Sequence, residues 1–145
     1  MTATESYEQI FRRSVETVLE AMFFESLSGE PETAGGLPAG CLVGAVSFDG
    51  TRCGRMLVAM ERATAATLAG NFLGLGDEES APLEESTLQE LANISCGSFL
   101  SRLDPHGSFC IGAPEMLPAT IAGTEERDWL LLPLECGAVW FCLEL

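Results

Sequence analysis

The chain has 145 residues, of which 47% are hydrophobic, and its 7 basic and 22 acidic side chains give a formal charge of −15. This length and composition predict a single globular domain over residues 1–145, large enough to fold without metals or disulfides. All 7 basic residues are arginine, which excludes chemistry that requires a lysine, and DNA or RNA is a poor partner because nucleic-acid binding depends on clustered cations.

The first predicted element is a long amphipathic helix that ends near Phe24, because apolar residues recur ahead of it at the spacing of one helix face. Ser6 and Gln9 match a capping box at its start. The segment 26–40 is rich in Pro, Gly, Glu and Thr, and it predicts a loop.

A pair of antiparallel strands is predicted next, at 41–48 and 52–60, since both segments are apolar and partly β-branched. The dipeptide Asp49-Gly50 between them predicts a two-residue hairpin turn. A second helix is predicted at 61–73, where Ala, Thr and Leu dominate, and an acidic loop at 74–80 follows it.

A second long helix is predicted at 82–103, followed by a turn around His106 and a short strand at 109–112. The segments 128–134 and 138–143 predict a closing hairpin. Helices and antiparallel strands in this order predict an α+β fold, in which an antiparallel sheet carries two long helices on one face.

Few residues offer nucleophile or metal chemistry. His106 is the only histidine, and its Asp-Pro-His-Gly-Ser context is typical of a turn. The six cysteines form no CxxC pair, and most, such as Cys110 and Cys142, lie in apolar stretches where cysteine behaves as a small buried hydrophobe. No secretion signal begins the sequence, and its longest apolar runs, such as 129–134, are too short to cross a membrane. We therefore expect a cytoplasmic protein with reduced thiols.

The second long helix has two unlike faces at about 100° per residue. Its predicted core face contains Leu88, Leu91, Ala92, Ser95, Cys96, Phe99 and Leu103. The opposite face is a polar stripe that consists of Ser86, Glu90, Asn93, Gly97 and Ser101. An ordinary solvated surface accounts for such a mixture, although Asn and Gly are both poor residues for a helix interior.

This stripe resembles the signature of the CheC/CheX/FliY family of chemotaxis phosphatases. The resemblance is carried by Ser86, by Glu90-Leu91-Ala92-Asn93-Ile94-Ser95-Cys96-Gly97 and by Ile111-Gly112-Ala113-Pro114. It implies an active-site pair at Glu90 and Asn93, with Ser86 at the leading position and Pro114 or Pro118 as the family's proline. The first helix has Glu16 and Glu20 but no Asn, which implies one site per chain, as in CheX-like members.

By this resemblance, the chain hydrolyses the aspartyl phosphate of a CheY-type response regulator. Asn93 would orient the attacking water through its carboxamide, and Glu90 would pair with a cation on the regulator. Gly97 would let the partner's backbone approach the helix, and Ser86 and Pro114 would lie in the same docking surface. No cofactor is expected on this chain, because Mg²⁺ belongs to the regulator.

Two other interpretations stay open at this point. The same face fits a module that binds a receiver domain without accelerating hydrolysis, and the chain also fits a structural dimerisation domain whose stripe is only surface. The apolar segment 141–145 is predicted to form a sheet edge that pairs with a second copy. CheX-like members form homodimers, so a homodimer is expected.

Overall fold

The computed structural model describes residues 6–74, 83–118 and 127–145. The helices of these ranges are α1 (Tyr7–Phe23), α2 (Arg62–Leu73) and α3 (Glu84–Leu103). The strands are β1 (Glu32–Ala34), β2 (Leu42–Gly50), β3 (Gly54–Met60), β4 (Phe109–Ile111), β5 (Glu115–Leu117), β6 (Trp129–Leu134) and β7 (Gly137–Glu144). They pair antiparallel into one sheet, as the predicted α+β fold requires. The predicted acidic loop beyond Gly74 and the predicted helix start at Pro82 lie outside the described residues.

The helices cover one face of the sheet, which confirms the predicted layering. Along β2, Leu42, Val46 and Phe48 belong to the core that the helices share, whereas Val43 and Ala45 belong to a second core on the other face. Because both faces are buried, this strand is apolar at successive positions instead of alternating with polar residues. No helix within the described ranges is long and apolar enough to span a membrane.

The helix α1 begins and packs as its sequence predicts. The amide of Gln9 donates to the Ser6 hydroxyl at 3.2 Å, and the amide of Ser6 donates to the Gln9 side chain at 3.0 Å, which completes the capping box. The Phe11 ring packs edge-on against Phe99 of α3 at 5.9 Å and Phe141 of β7 at 6.2 Å. This aromatic group joins the two long helices to the sheet.

The last strand lies in the interior of the sheet and not at its edge. The strand order is β1-β6-β7-β3-β2, with β4 and β5 both on the outer side of β2. Phe141 of β7 is opposite Leu130 on one side and Val58 on the other. The prediction of a free edge at 141–145 is therefore wrong, because the continuous apolar sequence there reflects burial between two strands.

The turn between β2 and β3 also differs from the prediction. Phe48 pairs with Gly54, so the hairpin loop is longer than two residues, and Asp49 and Gly50 extend β2 to pair with β4. Gly50 has a φ of 118°, and a Cβ on it would lie 2.2 Å from the carbonyl oxygen of Ser108. Close approach to β4 thus explains this glycine without a tight turn.

The strands β4 and β5 pair with β2 in registers that differ by one residue. Ile111 is opposite Phe48, whereas Glu115 is opposite Ala45. The segment 112–114 therefore faces a shorter segment of β2, which makes it a β-bulge. Of these two strands, the sequence predicted only β4. The strands β5 and β1 are too short to show a periodicity, and β1 lies in the predicted loop 26–40.

The six cysteines differ in their exposure to solvent. All are free thiols: Cys41, Cys96 and Cys142 are buried, Cys136 is half-buried, and Cys53 and Cys110 are exposed. Burial raises the pKa of Cys136 to about 11, so its thiol is protonated at neutral pH. The expectation of a buried hydrophobe is confirmed for Cys142 and wrong for Cys110, which lies on the edge strand β4.

Replacing Gly50 with alanine should destabilise the protein, because the new Cβ would collide with the Ser108 carbonyl and the residue would hold a positive φ. We expect the free energy of unfolding to fall by about 1–3 kcal/mol in urea denaturation. Gly35→Ala is the matched control, since a Cβ on Gly35 has no atom within 4 Å. Equal stability of the two variants would contradict the close contact between β2 and β4.

Candidate functional site

The two faces predicted for the second long helix are both present in α3. Its buried side chains are those of Thr87, Leu88, Leu91, Ala92, Ser95, Cys96, Phe99 and Leu100. In the polar stripe, Ser86, Glu90, Asn93 and Ser101 are exposed and Gly97 is half-buried. The structure therefore brings the predicted site residues of α3 together on one surface that faces solvent.

The packing of α3 fixes the direction in which this stripe points. The helix packs on β2 and β3 and against both α1 and α2. Gly44 of β2 allows a close approach, since a Cβ on it would lie 3.4 Å from Cδ2 of Leu88. At the first turn, the Arg62 guanidinium of α2 donates to the Glu84 carboxylate at 3.1 Å. Held in this way, α3 presents its exposed side chains from a rigid element.

Glu90 and Asn93 are the two side chains of the stripe with polar groups suited to chemistry. At a spacing of three residues on a helix, their Cβ atoms are about 5–6 Å apart. Neither side chain has a hydrogen bond or an ion pair within the part of the chain that the structure describes. Both are available to a partner: a carboxamide offers an acceptor and two donors that orient water, and a carboxylate accepts hydrogen bonds from a cation.

Gly97 is the point at which the stripe meets the edge of the sheet. A Cβ on Gly97 would find Cδ1 of Ile111 at 3.9 Å and no other atom of a neighbouring element within 4 Å. This is an ordinary van der Waals distance, so the packing within this chain does not require glycine. Glycine nevertheless costs a helix interior about 1 kcal/mol relative to alanine.

The two candidate prolines lie at different places on the same edge. Pro114 is half-buried in the 112–114 bulge, directly before Glu115, and the carbonyl oxygen of Glu115 would lie 3.7 Å from a Cβ on Gly44. Pro118 is exposed and follows the last residue of β5. Of the two, Pro114 is the one that lies within the bulge on β2.

The exposed face of α1 carries different polar groups from that of α3. Glu20 is exposed, Glu16 is half-buried, and the Thr17 hydroxyl between them donates to the Arg13 carbonyl at 2.7 Å. The one amide side chain of α1, that of Gln9, is used in the capping box. The expectation of one site per chain therefore rests on the lack of an asparagine in α1.

The other residues with reactive side chains do not join this surface. His106 is exposed in the turn after α3, where the sequence predicts it. Cys96 is on the buried side of α3, and burial raises its pKa to about 12, which keeps the thiol protonated. Within residues 6–74, 83–118 and 127–145, no three His, Cys, Asp or Glu side chains are placed to hold a metal ion.

No sequence motif marks the cavity of about 510 Å³ at the start of α1. Its lining includes Tyr7, Phe11 and Arg12 of α1, together with Leu130 of β6 and Leu143 of β7. These residues come from segments far apart in the sequence, so only the pairing of the sheet brings them together. The cavity lies beside β1 and β6, at the end of the sheet away from β2.

Comparison with known proteins gives a family for the described fold and surface. A family model described as chemotaxis phosphatase CheX matches residues 42–127, which is more than half of the chain. No curated protein sequence matches significantly.

Several solved structures share the fold over nearly the whole chain. A chain of the CheX-CheY-BeF3-Mg²⁺ complex from Borrelia burgdorferi has a TM-score of 0.72 and 20% identity, with 96% of this chain and 97% of that chain covered. A CheC-like superfamily protein from Shewanella sp. PV-4 has a TM-score of 0.69 and 21% identity, with 98% of both chains covered. FliY from Thermotoga maritima has a TM-score of 0.58 and 15% identity, with 97% and 91% covered.

Gly97→Ala should stabilise the isolated protein by up to about 1 kcal/mol, because alanine has the higher helix propensity and its Cβ meets only Ile111 at contact distance. Thermal melts of the wild type and the variant measure this difference. Gly54→Ala provides the contrast, since a Cβ on Gly54 would lie 2.3 Å from the Glu144 carbonyl oxygen and should destabilise the sheet. A marked fall in the melting temperature of Gly97→Ala would mean that this glycine is needed for internal packing.

Proposed function

The chain belongs to the CheX family of chemotaxis phosphatases, and we propose that it hydrolyses the aspartyl phosphate of a CheY-type response regulator. The observation that carries the proposal is the pair Glu90 and Asn93, exposed about one turn apart on α3 and without partners in the described chain. The Borrelia structure, a complex of CheX with CheY, BeF3 and Mg²⁺, supports a partner of the CheY type. A cytoplasmic location, where thiols stay reduced, is part of the proposal.

The reaction needs few groups from this chain. Water attacks the phosphorus, the bond between phosphorus and the aspartyl oxygen breaks, and inorganic phosphate and a free carboxylate result. Because an aspartyl phosphate is already activated, positioning of the water and electrostatic support contribute most of the acceleration. Mg²⁺ in the regulator would supply much of that support, and no cofactor on this chain is required.

Asn93 is the residue that we assign to the attacking water. Its carboxamide is uncharged at every ordinary pH, and it accepts a hydrogen bond from the water while its N–H groups donate to the phosphoryl oxygens. The residue is exposed on a helix whose other face is packed, so the amide can enter a pocket of the regulator. Such positioning lowers the entropy cost of bringing water in line with the breaking bond.

Glu90 is assigned to the regulator's cation. A charged hydrogen bond between a carboxylate and an ammonium group is stronger than a neutral one, and it would fix α3 over the phosphoryl pocket. The formal charge of −15 also favours the docking of a positive surface of the regulator. Ser86, Gly97 and Pro114 would complete the docking surface around the pair.

Asn93→Ala should abolish most of the turnover while the variant still binds the regulator, since the amide acts on the transition state and not on docking. We expect the rate of dephosphorylation to fall by about 10²–10³. This is the loss typical of other enzymes when one hydrogen-bonding group that stabilises the transition state is removed. Glu90→Ala should weaken binding as well as turnover. Phosphate release from a panel of phosphorylated receiver domains, with binding titrations alongside, measures both effects.

Glu20→Ala is the matched control for Glu90→Ala, because Glu20 is an exposed helical carboxylate on α1 and outside the stripe. It should leave both binding and turnover unchanged. Wild-type turnover in Asn93→Ala would show that the catalytic assignment is wrong. Binding of a receiver by the wild type without any acceleration of phosphate release would instead favour a pure binding module, and no binding at all would favour a structural dimerisation domain.

We also propose that the chain forms a homodimer, as its apolar composition indicates. Because β7 is interior, strand pairing with a second copy would use, among the strands that the structure describes, β1 or the edge formed by β4 and β5. The bulge and Pro114 disfavour pairing at the second of these edges, which leaves β1. Light scattering at micromolar concentration should give about twice the chain mass of 15.5 kDa. The mass of one chain at every concentration would remove the dimer without affecting the catalytic proposal.

A further inference from the structure

One isoleucine beside the polar stripe is open to solvent. Ile111 of β4 is 38% exposed, although the residue opposite it, Phe48, is 4% exposed and belongs to the core beneath the helices. Opposite residues of an antiparallel pair point to the same face of a sheet. Ile111 therefore lies on the face that the helices cover, at the border where that cover ends.

Position 97 of α3, a glycine without a side chain, lies beside Ile111. A Cβ on Gly97 would already be in contact with Ile111, and a longer side chain there would extend over it. Gly112 and Ala113, the next residues along the edge, are exposed. Gly97, Ile111, Gly112 and Ala113 carry no charge, and we call this uncharged patch at the border of the stripe the notch.

The backbone at the notch is unsuited to the addition of a strand. The 112–114 bulge interrupts the regular edge, and the amide of Gly112 already donates to the Ser47 carbonyl oxygen at 2.8 Å. Pro114 has no N–H to offer to a new strand. An occupant of the notch must therefore be held by its side chain.

We propose that the notch receives an apolar side chain of the response regulator, close to its phosphorylated aspartate, and thereby selects which regulator is dephosphorylated. This inference rests on the proposed function. Gly97 follows Asn93 by four residues, about 6 Å along the helix axis, so a regulator that presents its phosphoryl group to Asn93 also covers the notch. Ile111 and the small residues around it gain by burial only if the side chain that covers them is apolar.

Steady-state dephosphorylation over a range of regulator concentrations tests this assignment. Ile111→Thr keeps a β-branched residue but adds a hydroxyl to the notch. Gly97→Gln covers the notch with a longer side chain from α3. Each should raise KM about tenfold and leave kcat unchanged, because the notch contributes to docking and not to the chemistry. Leu73→Thr, at the 47% exposed last residue of α2, is the control and should change neither constant.

The partner supplies a second measurement. Exposed apolar side chains around the regulator's phosphorylation site are replaced one at a time by alanine. The rise in KM caused by Ile111→Thr is then measured again with each regulator variant. When the side chain that enters the notch has been replaced by alanine, Ile111→Thr should no longer raise KM, as in a double-mutant cycle. Thermal melts confirm that each variant is folded before its kinetics are compared.

The outcomes separate this inference from the proposed function. If the wild type dephosphorylates a regulator and both notch variants keep the wild-type KM, the notch has no role in docking and the catalytic proposal stands. A fall in kcat at constant KM would also overturn the assignment, because it would place Ile111 in the chemistry. If the wild type accelerates no phosphorylated receiver in the panel, both proposals fail.

Discussion

The candidate site depends on the burial of one face of α3 against β2 and β3. Leu88, Leu91 and Phe99 of that face have no exposed surface, and burial of each such side chain contributes about 1.5–3 kcal/mol. Successive helical residues are about 100° apart, so turning α3 by one residue would expose these side chains and carry the charge of Glu90 toward the core. The exposed position of Asn93 is therefore set by packing on the opposite side of the helix.

The features that the sequence predicted correctly are those whose signal lies within one element. The two faces of α3 follow from helical spacing, and with them the common surface of Glu90 and Asn93. The capping box of Ser6 and Gln9 is a contact between residues three apart. In each case the interacting groups are neighbours along one helix, so their geometry follows from local backbone rules.

The errors concern contacts between distant segments. An apolar run such as the one around Phe141 suits an edge strand or an interior strand, and only the pairing partners decide between them. Asp49-Gly50 has the composition of a tight turn, but pairing with β4 draws both residues into β2. The exposure of Ile111 depends on the packing of β4 against α3 at Gly97. No pattern within either segment predicts this packing.

The bulge at 112–114 makes the sheet edge irregular, and it depends on a single extra residue in the chain. The registers of β4 and β5 on β2 differ by one residue, so a chain one residue shorter at this point would keep both sets of strand pairs. It would lose the bulge, and the edge would become a longer, regular strand of the kind that recruits other chains. In this fold, deletion of Pro114 would remove both the bulge and the residue without an N–H, and it would preserve the topology and yet open a route to aggregation.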